Sequence, residues 1–313
     1  MTAGVMSVTA KIDKDAVPTM GNGVVLIAGP TASGKSALAL RLAEASGGVI
    51  VNADSMQVYD ELRILTARPS IDDEARVPHR LYGHVPAATP YSVAAWLDDV
   101  AQILTECRSD GRTAYVTGGT GLYFTSLLKG LSPIPDVPED LRTDLRAKVA
   151  DLSVLDLHAV LEDRDPIMAD RLPTGDRQRI IRALEVLEAT GQSLSVWQDL
   201  PRKPILGAHT RQRYVLAPDR DWLRQRVADR FQAMLDQGVL DEVSAFMALG
   251  VPESLPAARA HGVRPLAAYL RGDISLDEAA ERTITETRQY AKRQETWFRN
   301  QFPNWERVEV ATA

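Results

Sequence analysis

Cysteine is nearly absent: Cys107 is the only one in 313 residues. An intramolecular disulfide framework and a cysteine-based zinc site are both excluded. Cys107 falls in an apolar-periodic helical stretch, where a thiol serves as a small core residue. Missing too is any run of about 18 apolar residues, so no transmembrane helix is expected. Residues 1–23 mix Lys11, Asp13, Lys14 and Asp15 with small residues and carry no apolar signal core. They read as a disordered tail, and a cytoplasmic location with no membrane partner is expected. Positive charge is not in excess. The formal net charge of −6 argues against non-specific coating of nucleic acid, although a whole-chain sum hides local basic stripes. Repeats and low-complexity tracts are lacking as well.

What is present is a globular composition, 45% apolar and 25% charged, in a chain long enough for one large α/β domain plus a module. The apolar run Val24–Ala28 leads directly into Gly29-Pro30-Thr31-Ala32-Ser33-Gly34-Lys35-Ser36. This G-x-x-x-x-G-K-S spacing after a strand pattern, with a helix pattern behind it (Leu38, Leu42 and Ala43 on one side), meets the condition for a phosphate-binding loop. Backbone N–H groups can wrap a pyrophosphate at the helix N-terminus, Lys35 can neutralise its outer oxygens, and Ser36 can hold Mg²⁺. Further strand patterns at 49–52, 113–117 and Arg213–Ala217, with helical patterns at 36–46 and 92–108, predict a parallel sheet covered on both faces. Residues 137–203 show no strand pattern, are Arg-rich, and are flanked by Pro133, Pro135 and Pro138 and by Pro201 and Pro204. They read as an all-helical insertion between 24–136 and 204–313, which form an α/β core with C-terminal helices.

Asp54 closes the second strand pattern, followed by Ser55, Met56 and Gln57. At the carboxyl edge of such a sheet it can be a general base, a metal ligand or merely a helix cap. Gln57 carries a donor and an acceptor suited to a base edge. The third strand runs into Thr117-Gly118-Gly119-Thr120-Gly121, where glycines bring the backbone close to a ligand and Thr120 can donate its hydroxyl. Arg226 and Arg230, one helical turn apart, can aim at the phosphate site. In Asp176–Arg182, Ile180 and Ile181 face a core while Arg179 and Arg182 share an outer side. In Thr287–Arg299, basic residues alternate with Tyr290 and Trp297, a pattern suited to phosphate contact and base stacking. A phosphoryl-transfer enzyme using ATP and an RNA-binding nucleotide switch are the rival readings.

The motifs GPTASGKS (29–36), NADSMQVY (52–59), TARP (66–69), GGTGLY (118–123), DRQRIIRALEV (176–186) and TRQYAKRQETWFR (287–299) stand in one order and spacing. Together the chain resembles the bacterial type of the tRNA dimethylallyltransferase family, also called tRNA isopentenyltransferases. The resemblance implies a P-loop NTPase-like parallel sheet core with an inserted all-helical tRNA-binding domain. It implies transfer of a dimethylallyl group from dimethylallyl diphosphate to N6 of the adenosine at tRNA position 37, with diphosphate as leaving group. Asp54, Thr120 and Arg230 become the implied catalytic residues, with Arg226 a second clamp. Gly29, Pro30, Thr31, Ala32, Ser33, Gly34, Lys35 and Ser36 become the diphosphate site, and Ser36 the contact of Mg²⁺. The implied tRNA set, for the anticodon stem-loop, is Asp54, Ser55, Met56, Gln57 and Thr120, then Arg142, Gln178, Arg179, Ile180, Ile181 and Arg182. It continues with Arg259, Arg264, Lys292, Arg293, Gln294, Trp297 and Arg299. A monomer is expected. Three departures stand out: Asp60 where the family commonly has a basic residue, Arg68 for the usual Lys, and His261-Gly262-Val263-Arg264-Pro265 in place of IGYKE.

Overall fold

Apolar runs bounded by glycine and polar residues become parallel strands. A computed structural model describes residues 23–206 and 210–310; the expected tail therefore lies, but for Gly23, outside the described residues. The chain divides into two units: residues up to Leu128 together with those from Ile205, and Lys129–Pro204.

In the first unit β1 (Val24–Ala28) leads through the Gly29–Gly34 loop into α1 (Lys35–Ser46), which stops at left-handed Gly47. Next come β2 (Val49–Asn52), α2 (Ile71–Arg76), β3 (His79–Arg80), α3 (Val93–Ser109), β4 (Ala114–Gly118) and α4 (Gly121–Lys129). All six strands, including the later β5 (Thr210–Leu216) and β6 (Glu306–Val308), run parallel in the order β3-β2-β4-β1-β5-β6. β1, β2 and β4 are buried at every position, as the middle strands of a doubly covered sheet must be. β3 and β6 go beyond the sequence reading, because edge strands of two and three residues are too short to show an apolar pattern.

The second unit is helical: α5 (Glu139–Lys148), α6 (Val154–Arg164), α7 (Pro166–Arg171), α8 (Arg177–Thr190) and α9 (Leu194–Asp199). Leu157 and Leu161 of α6 pack with Ile180, Ala183 and Leu184 of α8, all fully buried. Glu185 is buried among them, held by Arg146 at 2.8 Å and Arg182 at 3.6 Å. A buried carboxylate depends on such partners. Arg146→Ala is expected to destabilise this unit by roughly 1–3 kcal/mol, less than a fully buried pair would cost because both arginines reach water. Chemical denaturation checks it, and adding Glu185→Leu should recover most of the loss.

The first unit continues from β5 with α10 (Arg220–Asp236), α11 (Val239–Ala248), α12 (Val263–Leu270) and the 26-residue α13 (Leu276–Gln301). Asp219 caps α10 by accepting from the amides of Asp221 and Trp222, both at 2.9 Å. The interior turns of α10 bury Val227 and Phe231, and those of α13 bury Ala291, Gln294 and Phe298. Among the described residues no helix is long and apolar enough to cross a membrane.

Candidate active site

The three central strands end level: Ala28 pairs with Gly118, and Asn52 with Thr117. Their following loops therefore share one edge of the sheet, where open parallel sheets assemble their sites. In the loop after β1, Ala32 (φ 63°) and Gly34 (φ 88°) take left-handed conformations, which cost strain at the alanine. No side chain caps the first turn of α1, so its free N–H groups and the positive end of its dipole remain available to an anion. Lys35 Nζ donates to the Pro30 carbonyl at 3.3 Å. Burial pulls the Lys35 pKa down to about 8; the Asp54 carboxylate opposes the shift and the Arg230 guanidinium adds to it. The fully buried Ser33 hydroxyl has no hydrogen-bond partner among the described residues.

Asp54 follows β2 and is held by its neighbours. The buried Asn52 accepts from the Asp54 amide at 2.8 Å and donates to the carbonyls of Asp54 and Leu81, both at 2.9 Å. Asp54 Oδ1 accepts from the Met56 amide at 3.1 Å. The helix-cap reading is thus replaced by a tight turn, since the next helix begins only at Ile71. Across from it, Thr120 donates its amide to the Ala53 carbonyl at 3.1 Å and accepts from the Ser55 amide at 2.9 Å. This approach requires glycine before Thr120: a Cβ on Gly118 would lie 2.1 Å from the Ala53 backbone, and one on Gly119 2.1 Å from Gln294.

Arg230 closes the site from α10, donating to Thr31 Oγ1 at 3.2 Å. Burial lowers its pKa to about 10, against Asp54 and together with Arg226. Arg226 lies over the Trp222 ring at 5.4 Å. Lys35, Ser36, Asp54, Gln57, Arg226 and Arg230 line one cavity of about 420 Å³. A second cavity of about 500 Å³, lined by Arg63, Arg68, Ile64 and Met234, adjoins it at Ala67, Arg230 and Ala233. The first can hold an anion on one wall and offer a carboxylate from another.

The IPP transferase family model matches residues 57–301, and the isopentenyl transferase model residues 22–84. The tRNA dimethylallyltransferase of Azorhizobium caulinodans is 53% identical over 289 residues, covering 92% of this chain and 93% of the relative. The chain belongs to the tRNA dimethylallyltransferase (IPP transferase) family. The enzyme of that name from Chelativorans sp. is 50% identical over 93% of this chain and its own full length. Among solved structures, the tRNA isopentenylpyrophosphate transferase of Bacillus halodurans is 32% identical, with a TM-score of 0.65 over 92% of this chain and 90% of that one. A eukaryotic dimethylallyltransferase described as acting on tRNA is 26% identical, with a TM-score of 0.71 over 88% of this chain and 69% of its own.

Against this family pattern the remaining residues sort by position. Gln57 spends its amide N–H groups on the carbonyls of Thr66 and Ala67, both at 2.8 Å; it secures the turn in which Ala67 is left-handed (φ 51°), rather than keeping a free amino group for a base edge. Ile180, expected to meet RNA, is fully buried in the helical unit, and Ile181 packs against the same core. Apolar side chains at those positions serve the core, and the motif match alone obscured that. Arg142 pairs with Glu139 at 3.0 Å and Arg179 with Asp176 at 3.3 Å, while Gln178 is exposed. Arg264 and Arg259 meet at Glu253, one on its carboxylate and one on its carbonyl. Along α13, Lys292 lines a groove with Arg220, Arg224 and Arg288. Arg293 lies against Tyr290, Trp297 against Gly121, and Arg299 is exposed. Gln294, expected among the RNA contacts, is buried with both ends of its amide on protein atoms. Arg68 lies 3.5 Å from the Asp60 carboxylate, its guanidinium packed on Gly83. Asn52 has no role in the sequence reading, although a polar residue ending an otherwise apolar strand is a signal for the turn it organises around Asp54.

Proposed function

We propose that the protein transfers a dimethylallyl group from dimethylallyl diphosphate to N6 of adenosine 37 in tRNA, with release of diphosphate. The observation that carries this reading is the single cavity lined by both the Lys35–Arg230 pair and the Asp54 carboxylate. In the displacement, the N6 lone pair bonds to the allylic carbon and the C–O bond breaks with its electrons going to diphosphate. The amine proton passes to Asp54. Charge that grows on the leaving oxygens meets the loop amides, Lys35 and Arg230, which are in place before the reaction begins. Thr120, fixed to Ser55, orients the acceptor base.

Ser36 opens into the same cavity from the first turn of α1. One hydroxyl beside a diphosphate suits Mg²⁺, which usually takes few protein ligands and completes its shell with phosphate oxygens and water. Bound there, Mg²⁺ supplies Lewis-acid stabilisation of the leaving group.

The reading treats residues 24–136 and 204–313 as a P-loop NTPase-like core and 137–203 as an inserted tRNA-binding domain, in a cytoplasmic monomer. Arg179 is the cleaner probe of that domain, because Arg182 also supports buried Glu185. Arg179→Ala is expected to weaken tRNA binding and reduce the salt-dependence slope by about one. An unchanged slope would leave Arg179 to its Asp176 pair alone.

The function itself is tested by incubating the protein with anticodon stem-loop RNA and dimethylallyl diphosphate, then measuring nucleoside masses. One adenosine should gain one dimethylallyl group. ATP turnover with no prenyl transfer would favour phosphoryl transfer instead.

A further inference from the structure

The buried amide of Gln294 connects the two halves of the site. Its residue is 4% exposed. Oε1 accepts from the Thr31 amide at 2.8 Å, and Nε2 donates to the Gly119 carbonyl at 2.9 Å. The partners settle which end is which, since a backbone N–H only donates and a carbonyl only accepts. Thr31 also takes the hydrogen bond from Arg230, so this contact lies in the anion-holding wall. Gly119 directly precedes Thr120, which secures Ser55 beside Asp54. The Tyr290 hydroxyl, one turn earlier on α13, faces both Thr120 and Gln294. No other described side chain hydrogen-bonds to both the 29–34 loop and the 118–121 turn. The absence of a Cβ at Gly119 gives Nε2 its room.

We propose that Gln294 is a positioning residue that sets the distance between the leaving diphosphate and the attacking amine. The inference rests on the prenyl-transfer reading and adds to it a residue that touches neither substrate. In-line displacement is sensitive to such spacing: a misplacement of about 1 Å can cost roughly a hundredfold in rate.

The test compares wild type, Gln294→Ala and Gln294→Glu at saturating donor and stem-loop RNA, with RNA Kd measured by filter binding. Gln294→Ala should lower kcat by about a hundredfold while Kd stays within about twofold. Gln294→Glu has nearly the same shape and still accepts from Thr31, but when ionised it sets a carboxylate oxygen against the Gly119 carbonyl. Protonation restores a donor. Its activity relative to wild type should therefore rise as pH falls from 9 to 6, by up to about tenfold per unit. A variant with raised RNA Kd and unchanged kcat would make Gln294 an RNA contact and overturn the proposal. A pH-independent ratio for Gln294→Glu would overturn it as well. Failure of the wild type to transfer the prenyl group would instead remove the functional reading beneath it.

Discussion

Asp54→Ala is expected to lower kcat for prenyl transfer by about a thousandfold, within the 10²–10⁴ that a positioned general base contributes. RNA affinity should stay within about twofold, since one carboxylate at the floor of the site adds little to an interface dominated by phosphate contacts. Asp54 also accepts from the Met56 amide at 3.1 Å, so alanine removes a turn contact together with the base. Asp54→Asn separates the two roles: the amide oxygen keeps the turn, and the proton acceptor is lost. Both variants should be comparably slow. A near-normal Asp54→Asn would assign the carboxylate to turn geometry and move the base elsewhere.

Lys35→Met should cost about 10²–10³ in kcat, the range for deleting one preorganised group that stabilises developing negative charge. A distinctive pH dependence accompanies it. In the ligand-free protein Lys35 is charged below about pH 8. Affinity for inorganic diphosphate should be steady below that pH and fall by up to about tenfold per unit above it. Stability takes the opposite sign. Burial depresses the folded pKa from 10.5 to about 8, so the unfolded chain binds more protons across that window and stability rises with pH through it. Titration calorimetry and denaturation at pH 7, 8 and 9 check both, using the difference between wild type and Lys35→Met to cancel other groups. Parallel curves for the two proteins would leave Lys35 without the assigned charge.

The central sheet could be read from the sequence because β1, β2 and β4 are largely apolar runs, polar only at the ends of β2 and β4, whose burial on both faces leaves no alternation. The Gly29–Ser36 loop was equally plain, since each of its residue types answers a local need of backbone or charge. What escaped were contacts made across long sequence separations. Gln294 stands 263 residues from Thr31 and 175 from Gly119; its helical spacing from Ala291 and Phe298 marks a buried position, but not which distant backbone groups its amide meets. Gln57 escaped for a related reason: its partners at Thr66 and Ala67 depend on a left-handed turn at an alanine, which local propensity does not foretell. Ile180 shows the reverse error. Its apolar spacing already assigned it to a core, and the motif around it drew attention to the neighbouring arginines.

The meeting of Asp60 with Arg68 shows what holds an enclosed cation in place. Arg68 is almost wholly enclosed by Gly83 and the Tyr59 and Asp60 carbonyls, with Arg63 adding repulsion and first Glu74, then Asp60, offsetting it. The Asp60 side chain is 71% exposed, so water weakens its pull on Arg68 across the 3.5 Å contact. Enclosure rather than ion pairing therefore fixes the guanidinium: a Cβ on Gly83 would lie 2.0 Å from it, so any replacement of the 66–69 turn has to be matched to the missing side chain at 83.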